Sequence, residues 1–242
     1  MKLYLAIVLF FFTLVLNAQQ VKQAPNLIWF DDRPLNFGFL IGFNTMNYKV
    51  VHPKTLPPDV PRRYADVLTL GPGINLGMVS NFRINKYISL RVLPGLCFGG
   101  RDLEFINDKN YIDDPNDKYF PDYYTIVETS STYLECPVIL KFNGARMMNA
   151  KPYFMGGVNF RYDLAKSKKV GMMIDSFDIY WELGAGIDSY LTFFRLATEF
   201  KISIGLLNIL NPAGTGESED IYYTKVLDKL FSRIFILTFY FE

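Results

Sequence analysis

From about residue 36 to the end, the chain repeats one arrangement: a segment whose alternate positions differ in polarity, then a polar connection. The clearest segment is 193–205. Phe194, Leu196, Phe200, Ile202 and Ile204 share one parity, and Arg195, Glu199, Lys201, Ser203 and Gly205 the other. A period of two means a strand with one apolar face. Eight such segments are predicted, at about 36–48, 67–81, 87–105, 124–142, 152–163, 176–189, 193–205 and 231–242. The last is apolar on both parities, so its faces stay unassigned. Their connections alternate in length. Those at 49–66, 106–123, 164–175 and 206–230 are long; those at 82–86, 143–151 and 190–192 are short. An even-stranded barrel crossing a membrane has this order, with long loops outside, tight turns inside and both termini on the turn side. The predicted fold is therefore all-β: an eight-stranded antiparallel transmembrane β-barrel of the outer-membrane type. It would have four long extracellular loops, short periplasmic turns and periplasmic termini.

The distribution of charge separates this fold from a soluble eight-stranded barrel of the lipocalin kind, which is polar outside and apolar inside. Arg91, Glu135, Lys141, Arg161, Glu182, Arg195, Glu199 and Lys201 share parity with glycines, opposite faces rich in Leu, Ile and Phe. Facing lipid at mid-depth, an Arg or Lys would cost about 2–4 kcal/mol. Facing the lumen, the two signs can pair. These eight residues are expected to form a structural ion network that fills a narrow lumen, not a catalytic or conducting site.

The first residues read as a secretory leader. Lys2 precedes the 14-residue apolar run Leu3–Leu16, and Asn17-Ala18-Gln19-Gln20 follows with a cut expected after Ala18. The run is shorter than the ~20 residues of a membrane helix. The expected organisation is a signal peptide at 1–18, a periplasmic lead-in at 19–35 and the barrel at 36–242. Removing Lys2 leaves 24 basic and 24 acidic residues. Zero formal charge argues against a nucleic-acid partner.

Little else suggests chemistry. His52 is the single histidine. It stands in the first long connection, where no motif supplies a Ser or Asp partner for general-base work, and one histidine excludes a multi-His metal site. Asp108, Asp113, Asp114, Asp117 and Asp122 cluster in the second long connection without the spacing of an EF-hand loop. Lys166, Lys168 and Lys169 in the third could meet lipopolysaccharide phosphates. No catalytic residue, cofactor, metal or small-molecule substrate is expected. Cys97 falls on the inward parity and Cys136 on the outward, so no disulfide is expected. Around the turn-rich tip Asn211–Glu217, apolar flanks such as Ile209, Leu210 and Leu227 suggest extended strands or a partner contact.

The run Ser131-Thr132-Tyr133-Leu134-Glu135-Cys136-Pro137-Val138-Ile139-Leu140-Lys141-Phe142, followed by Lys151-Pro152-Tyr153-Phe154-Met155-Gly156-Gly157, resembles the core signature of the PorT (SprT) family. These are small outer-membrane barrels of Bacteroidetes-type bacteria. Lys151 stands where that family often has Arg, and the motif covers only residues 131–157. The resemblance implies a component of type IX secretion and gliding, in an accessory or assembly role and not as the conduit. Its expected partners are outer-membrane lipid, lipopolysaccharide and other secretion proteins. The alternatives are a general structural barrel similar to the OmpA membrane domain, or a lipid-modifying barrel enzyme that uses His52.

Overall fold

The computed structural model describes residues 25–53, 63–69, 71–107, 124–164, 174–210 and 227–242. The leader, the acidic cluster of the second connection, Lys166, Lys168, Lys169 and the tip Asn211–Glu217 lie outside these residues. A short 3-10 turn, Phe30–Asp32, precedes the strands β1 (Leu35–Val51), β2 (Arg63–Thr69), β3 (Gly71–Arg83), β4 (Ile88–Val92) and β5 (Gly95–Asn107). There follow β6 (Tyr124–Asn143), β7 (Ala150–Asp163), β8 (Phe177–Tyr190), β9 (Arg195–Gly205) and β10 (Lys229–Phe241).

Every pairing is antiparallel. β6, β7, β8, β9 and β10 each pair with the next, and β10 pairs with β1. β1 also pairs with β3, from Leu35↔Phe82 to Met46↔Gly71, and this pairing closes the ring. β2 and β3 both lie along β5, and β4 and β5 both lie along β6. The ten segments therefore make eight staves. The third stave departs from a continuous strand. Pro94 has no N–H to give the ladder, so the third stave is interrupted at Leu93-Pro94. Leu93 N–H still donates to Pro137 O (3.0 Å), and Pro94 O accepts from Met78 N–H (2.9 Å). Between Val67 and Thr69 the register against β5 shifts as in a β-bulge.

Nearest-neighbour antiparallel order sends all four long connections to one end of the barrel, the loop end. The short ones, with the start of β1 and the end of β10, lie at the other, the turn end. Two of the short turns have clear local causes. Asn85 Oδ1 accepts from the N–H groups of Tyr87 and Ile88, both at 2.8 Å, which shapes the β3–β4 turn. Met147 and Ala150 exchange backbone bonds in the β6–β7 turn, with Met148 at φ 52°.

The molecule is dressed inside out. Phe37, Phe39 and Phe43 on β1, Ile74 and Met78 on β3, and Trp181 and Leu183 on β8 are all exposed. Arginines, carboxylates and asparagines are buried. β10 now has assigned faces. Leu230, Ser232, Ile234, Ile236, Thr238 and Tyr240 point in, while Phe231, Phe235, Leu237 and Phe239 point out. Ile234 and Ile236 pack inward with Met46, Cys97, Tyr133 and Tyr180, which is why parity alone cannot phase this strand. Small inward residues make the room. A Cβ on Gly186 would lie 2.5 Å from the Tyr153 ring, and one on Gly99 would lie 2.7 Å from the Met46 sulfur.

At the loop end the expectation of extended strands at residues 206–210 is corrected. β9 stops at Gly205, and the chain folds over the mouth. Ile209 N–H donates to Leu230 O (3.0 Å), and Ile209 O accepts from Asp175 N–H (2.8 Å). Ile209, Leu210, Leu227 and Leu230 bury themselves against Tyr48 and Leu103. Covering apolar surface on the barrel's own rim gains more than projecting it into water.

Candidate functional site in the barrel lumen

All eight residues of the expected network are inward and buried. Strand alternation puts them there, since each lies on the inward parity of its stave. They fall into two layers.

The layer nearer the turn end centres on Arg91 of β4. Its guanidinium lies 2.9 Å from Glu242, 3.6 Å from Glu199 and 4.0 Å from Asp188. Lys141 of β6 reaches Asp188 at 2.6 Å, and Arg195 of β9 pairs with Asp188 at 3.7 Å and with Glu242. The Tyr153 and Tyr240 hydroxyls donate to Glu199 at 2.9 and 2.5 Å. Both rings also face the Arg91 guanidinium, at 5.4 and 4.7 Å, and Lys141 Nζ sits 3.7 Å from the Tyr153 ring centre. Each tyrosine therefore stabilises a carboxylate with its hydroxyl and a cation with its ring.

The middle layer centres on Glu182 of β8. It accepts from Lys201 (2.9 Å), Asn159 (2.8 Å) and Ser203 (3.0 Å), and it pairs with Arg161 at 3.3 Å. Arg161 also pairs with Glu135 at 2.9 Å, and its guanidinium lies over the Tyr180 ring at 4.4 Å. A polar relay continues across the lumen: Asn44 donates to Asn75 (2.6 Å), and Asn75 donates to Glu135 (2.9 Å).

Three members escape a reading by sequence. Asp188 lies on the inward parity of β8 but adjoins a predicted strand end. Arg101 has the same odd parity as Cys97 and Gly99, so extending the phase by one step would find it. It donates to Ser232 (2.6 Å) and Ser131 (3.2 Å) and is held between the rings of Tyr48 and Tyr133. Glu242 follows a strand whose phase was not readable. Its side chain turns inward to two arginines, while Phe241 stays on the wall, stacked on Phe39 at 4.8 Å.

Chemically, this arrangement fills space and fixes strands. Its charges are paired inside the ring, and Arg91, Lys141, Arg161 and Arg195 also lie over aromatic rings. Outside the lumen, His52 is exposed just beyond β1. Among the described residues no group of three or more His, Cys, Asp or Glu could hold a metal ion. Cys97 is buried in the lumen, Cys136 is exposed on the wall, and both are free thiols.

The turn-end mouth has its own construction. Residues 26–33 form a strap across it. Asn26 N–H donates to Asn149 (2.7 Å) and its amide to Tyr190 O (3.1 Å). Phe30 is buried edge-on to Tyr190, under the Arg195 guanidinium at 4.6 Å. Asp31 accepts from the Tyr190 hydroxyl (2.6 Å) and pairs with Lys151 and Arg146, both at 3.3 Å. Burial alone would raise the Asp31 carboxyl. The Tyr190 hydroxyl and the two cations together outweigh it and hold the group below the usual carboxylate range.

Residues 17–211 match the family described as outer membrane protein beta-barrel domain. The match spans well over half of the chain, and the protein belongs to that family, which places it in the outer membrane. No curated protein matches the sequence. Among solved structures, the outer membrane protein OprG from Pseudomonas aeruginosa is similar at 12% identity. That likeness covers 92% of this chain and 96% of that chain, with a TM-score of 0.42.

Proposed function

We propose that this protein is a non-enzymatic outer-membrane barrel that serves type IX secretion and gliding as an accessory or assembly component. The observation that carries the reading is the motif over residues 131–157 that resembles the PorT family signature. It forms one paired hairpin, with Lys141 opposite Met155 and Ile139 opposite Gly157. Its inward residues Glu135, Lys141 and Tyr153 are all parts of the lumen network. A charge-filled barrel of eight staves is too narrow to pass a folded protein, which supports a role beside the conduit. In this reading the turn end and both termini face the periplasm, the loop end faces outward, and the outer wall meets lipid and lipopolysaccharide. Deleting the gene should leave cargo bearing the C-terminal sorting domain in the periplasm, and normal export in the deletant would reject the proposal. A second reading, a structural barrel of the OmpA kind, draws support from the strand-locking network itself, which would stiffen an envelope without any partner. It predicts a leaky envelope with normal cargo export.

A further inference from the structure

The turn-end mouth holds a feature that the lumen network does not use. A cavity of about 270 Å³ opens between the strap, the end of β3, the β3–β4 and β6–β7 turns and the start of β9. Six cations line it: Arg33, Arg83, Lys86, Arg146, Lys151 and Arg195. Only two carboxylates do, Asp31 and Asp32, a formal excess of four positive charges, of which Arg195 is already matched by Asp188 and Glu242 behind the lining. Asp31 already serves Arg146 and Lys151, and Asp32 serves Arg83 at 3.2 Å. Among the described residues Lys86 has no ion-pair partner, and the Arg33 guanidinium has none either but lies over the Phe30 ring at 5.6 Å. In the wall of the same cavity, Asn81 is buried and its Oδ1 has no hydrogen-bond partner. A buried acceptor left unpaired is costly. Its amide can turn to offer the NH₂ group to an incoming acceptor.

We propose that this mouth is a docking site for an acidic peptide segment of a partner protein, recognised through its carboxylates. The chemistry selects an anion with several hydrogen-bond acceptors. The spread of the cations over the strap, two turns and β9 selects a chain carrying several carboxylates over one compact ion. A cavity of this size holds several times the ~30 Å³ share of one water. The site is lined by the strap and the turns at the barrel's turn end, away from the apolar residues of the outer wall. The inference concerns the purified barrel and holds or fails independently of any role in secretion.

The test is fluorescence anisotropy of a labelled oligo-glutamate peptide on the full chain in zwitterionic detergent. An oligo-lysine peptide and inorganic phosphate serve as separate arms. Two charge-reversal variants with the same net charge are compared. One carries Arg33→Glu and Lys86→Glu at this mouth; the other carries Lys49→Glu and Lys229→Glu at the opposite end, where both residues are exposed. The expected result is binding of the acidic peptide only, weakened about tenfold or more by the mouth variant and little by the other. Asn81→Ala should weaken it further in an otherwise unchanged barrel. No acidic-peptide binding up to about 100 μM, equal losses in the two reversal variants, or full displacement by stoichiometric phosphate would each overturn the proposal. Lost export in a gene deletant with no peptide binding here would keep the secretion reading and reject this one.

Discussion

Glu182 offers the sharpest perturbation of the lumen. In a Glu182→Ala variant, Arg161 keeps Glu135 at 2.9 Å, whereas Lys201 loses the carboxylate 2.9 Å away. That is its one ion pair among the described residues. Lys201 and Glu182 are both almost fully buried. Orphaning one partner of a buried pair costs about 3–5 kcal/mol, because the remaining charge stays desolvated. At ~1.4 kcal/mol per decade, the folding constant should fall by about two to three and a half orders of magnitude. Adding Lys201→Met removes the orphan and fills its volume. The double variant should therefore recover most of the loss, with a coupling of about 2–3 kcal/mol. Urea unfolding of the barrel in lipid vesicles, followed by the heat-dependent gel shift of folded barrels, measures all three proteins. A single-variant cost under about 1 kcal/mol, the value of an exposed pair, or strict additivity of the two substitutions would refute the account of the network.

Three further outcomes follow from local features. The Asp31 carboxyl is held below its ordinary value, so its contribution to strap binding is complete above an unfolded value near ~3.9 and is lost as pH falls through the lower folded value. Cleavage of the strap by an acid-stable protease should therefore be slow at neutral pH and accelerate below about pH 4, and an Asp31→Asn variant should be cut readily at both. Met148 sits at φ 52°, a conformation that costs a non-glycine residue about 1–2 kcal/mol. Met148→Gly should raise the urea midpoint slightly, and a lowered midpoint would show that the Met148 side chain contributes more than its backbone costs. Cys136 is exposed on the wall and Cys97 buried. A membrane-permeant maleimide should therefore add one label by mass to the folded barrel and two after denaturation; two labels on the folded barrel would contradict the packed lumen.

The staves were legible in the sequence because lipid and lumen impose opposite solvents on alternate residues, and β9 shows this most plainly. Legibility failed where that contrast weakens. Ile234 and Ile236 face the lumen because Tyr133, Tyr180 and Met46 make it locally apolar, so β10 carried no usable parity. The break at Leu93-Pro94 follows from one missing N–H, yet the alternation continues across it and hides it. Eight charged members of the network could be assigned from parity, but their partners could not. Which carboxylate meets Arg91 depends on how staves distant in sequence face one another across the ring, and Glu242 lies 151 residues away. The strap and the cationic mouth left no trace in the strand pattern, since Asp31, Arg83, Arg146 and Lys151 come together only when the turns converge. The fold over the loop end by Ile209 and Leu210 was visible as excess apolar character but not as a direction.

Single-channel recording tests most directly the claim that function resides on the ends and wall of a filled barrel. The folded protein is reconstituted into planar bilayers and recorded under applied voltage in concentrated salt. The lumen described here predicts a flat trace, because paired charges and tyrosines occupy the path that ions would take. Sustained, reproducible conductance steps from the unmodified protein would contradict it.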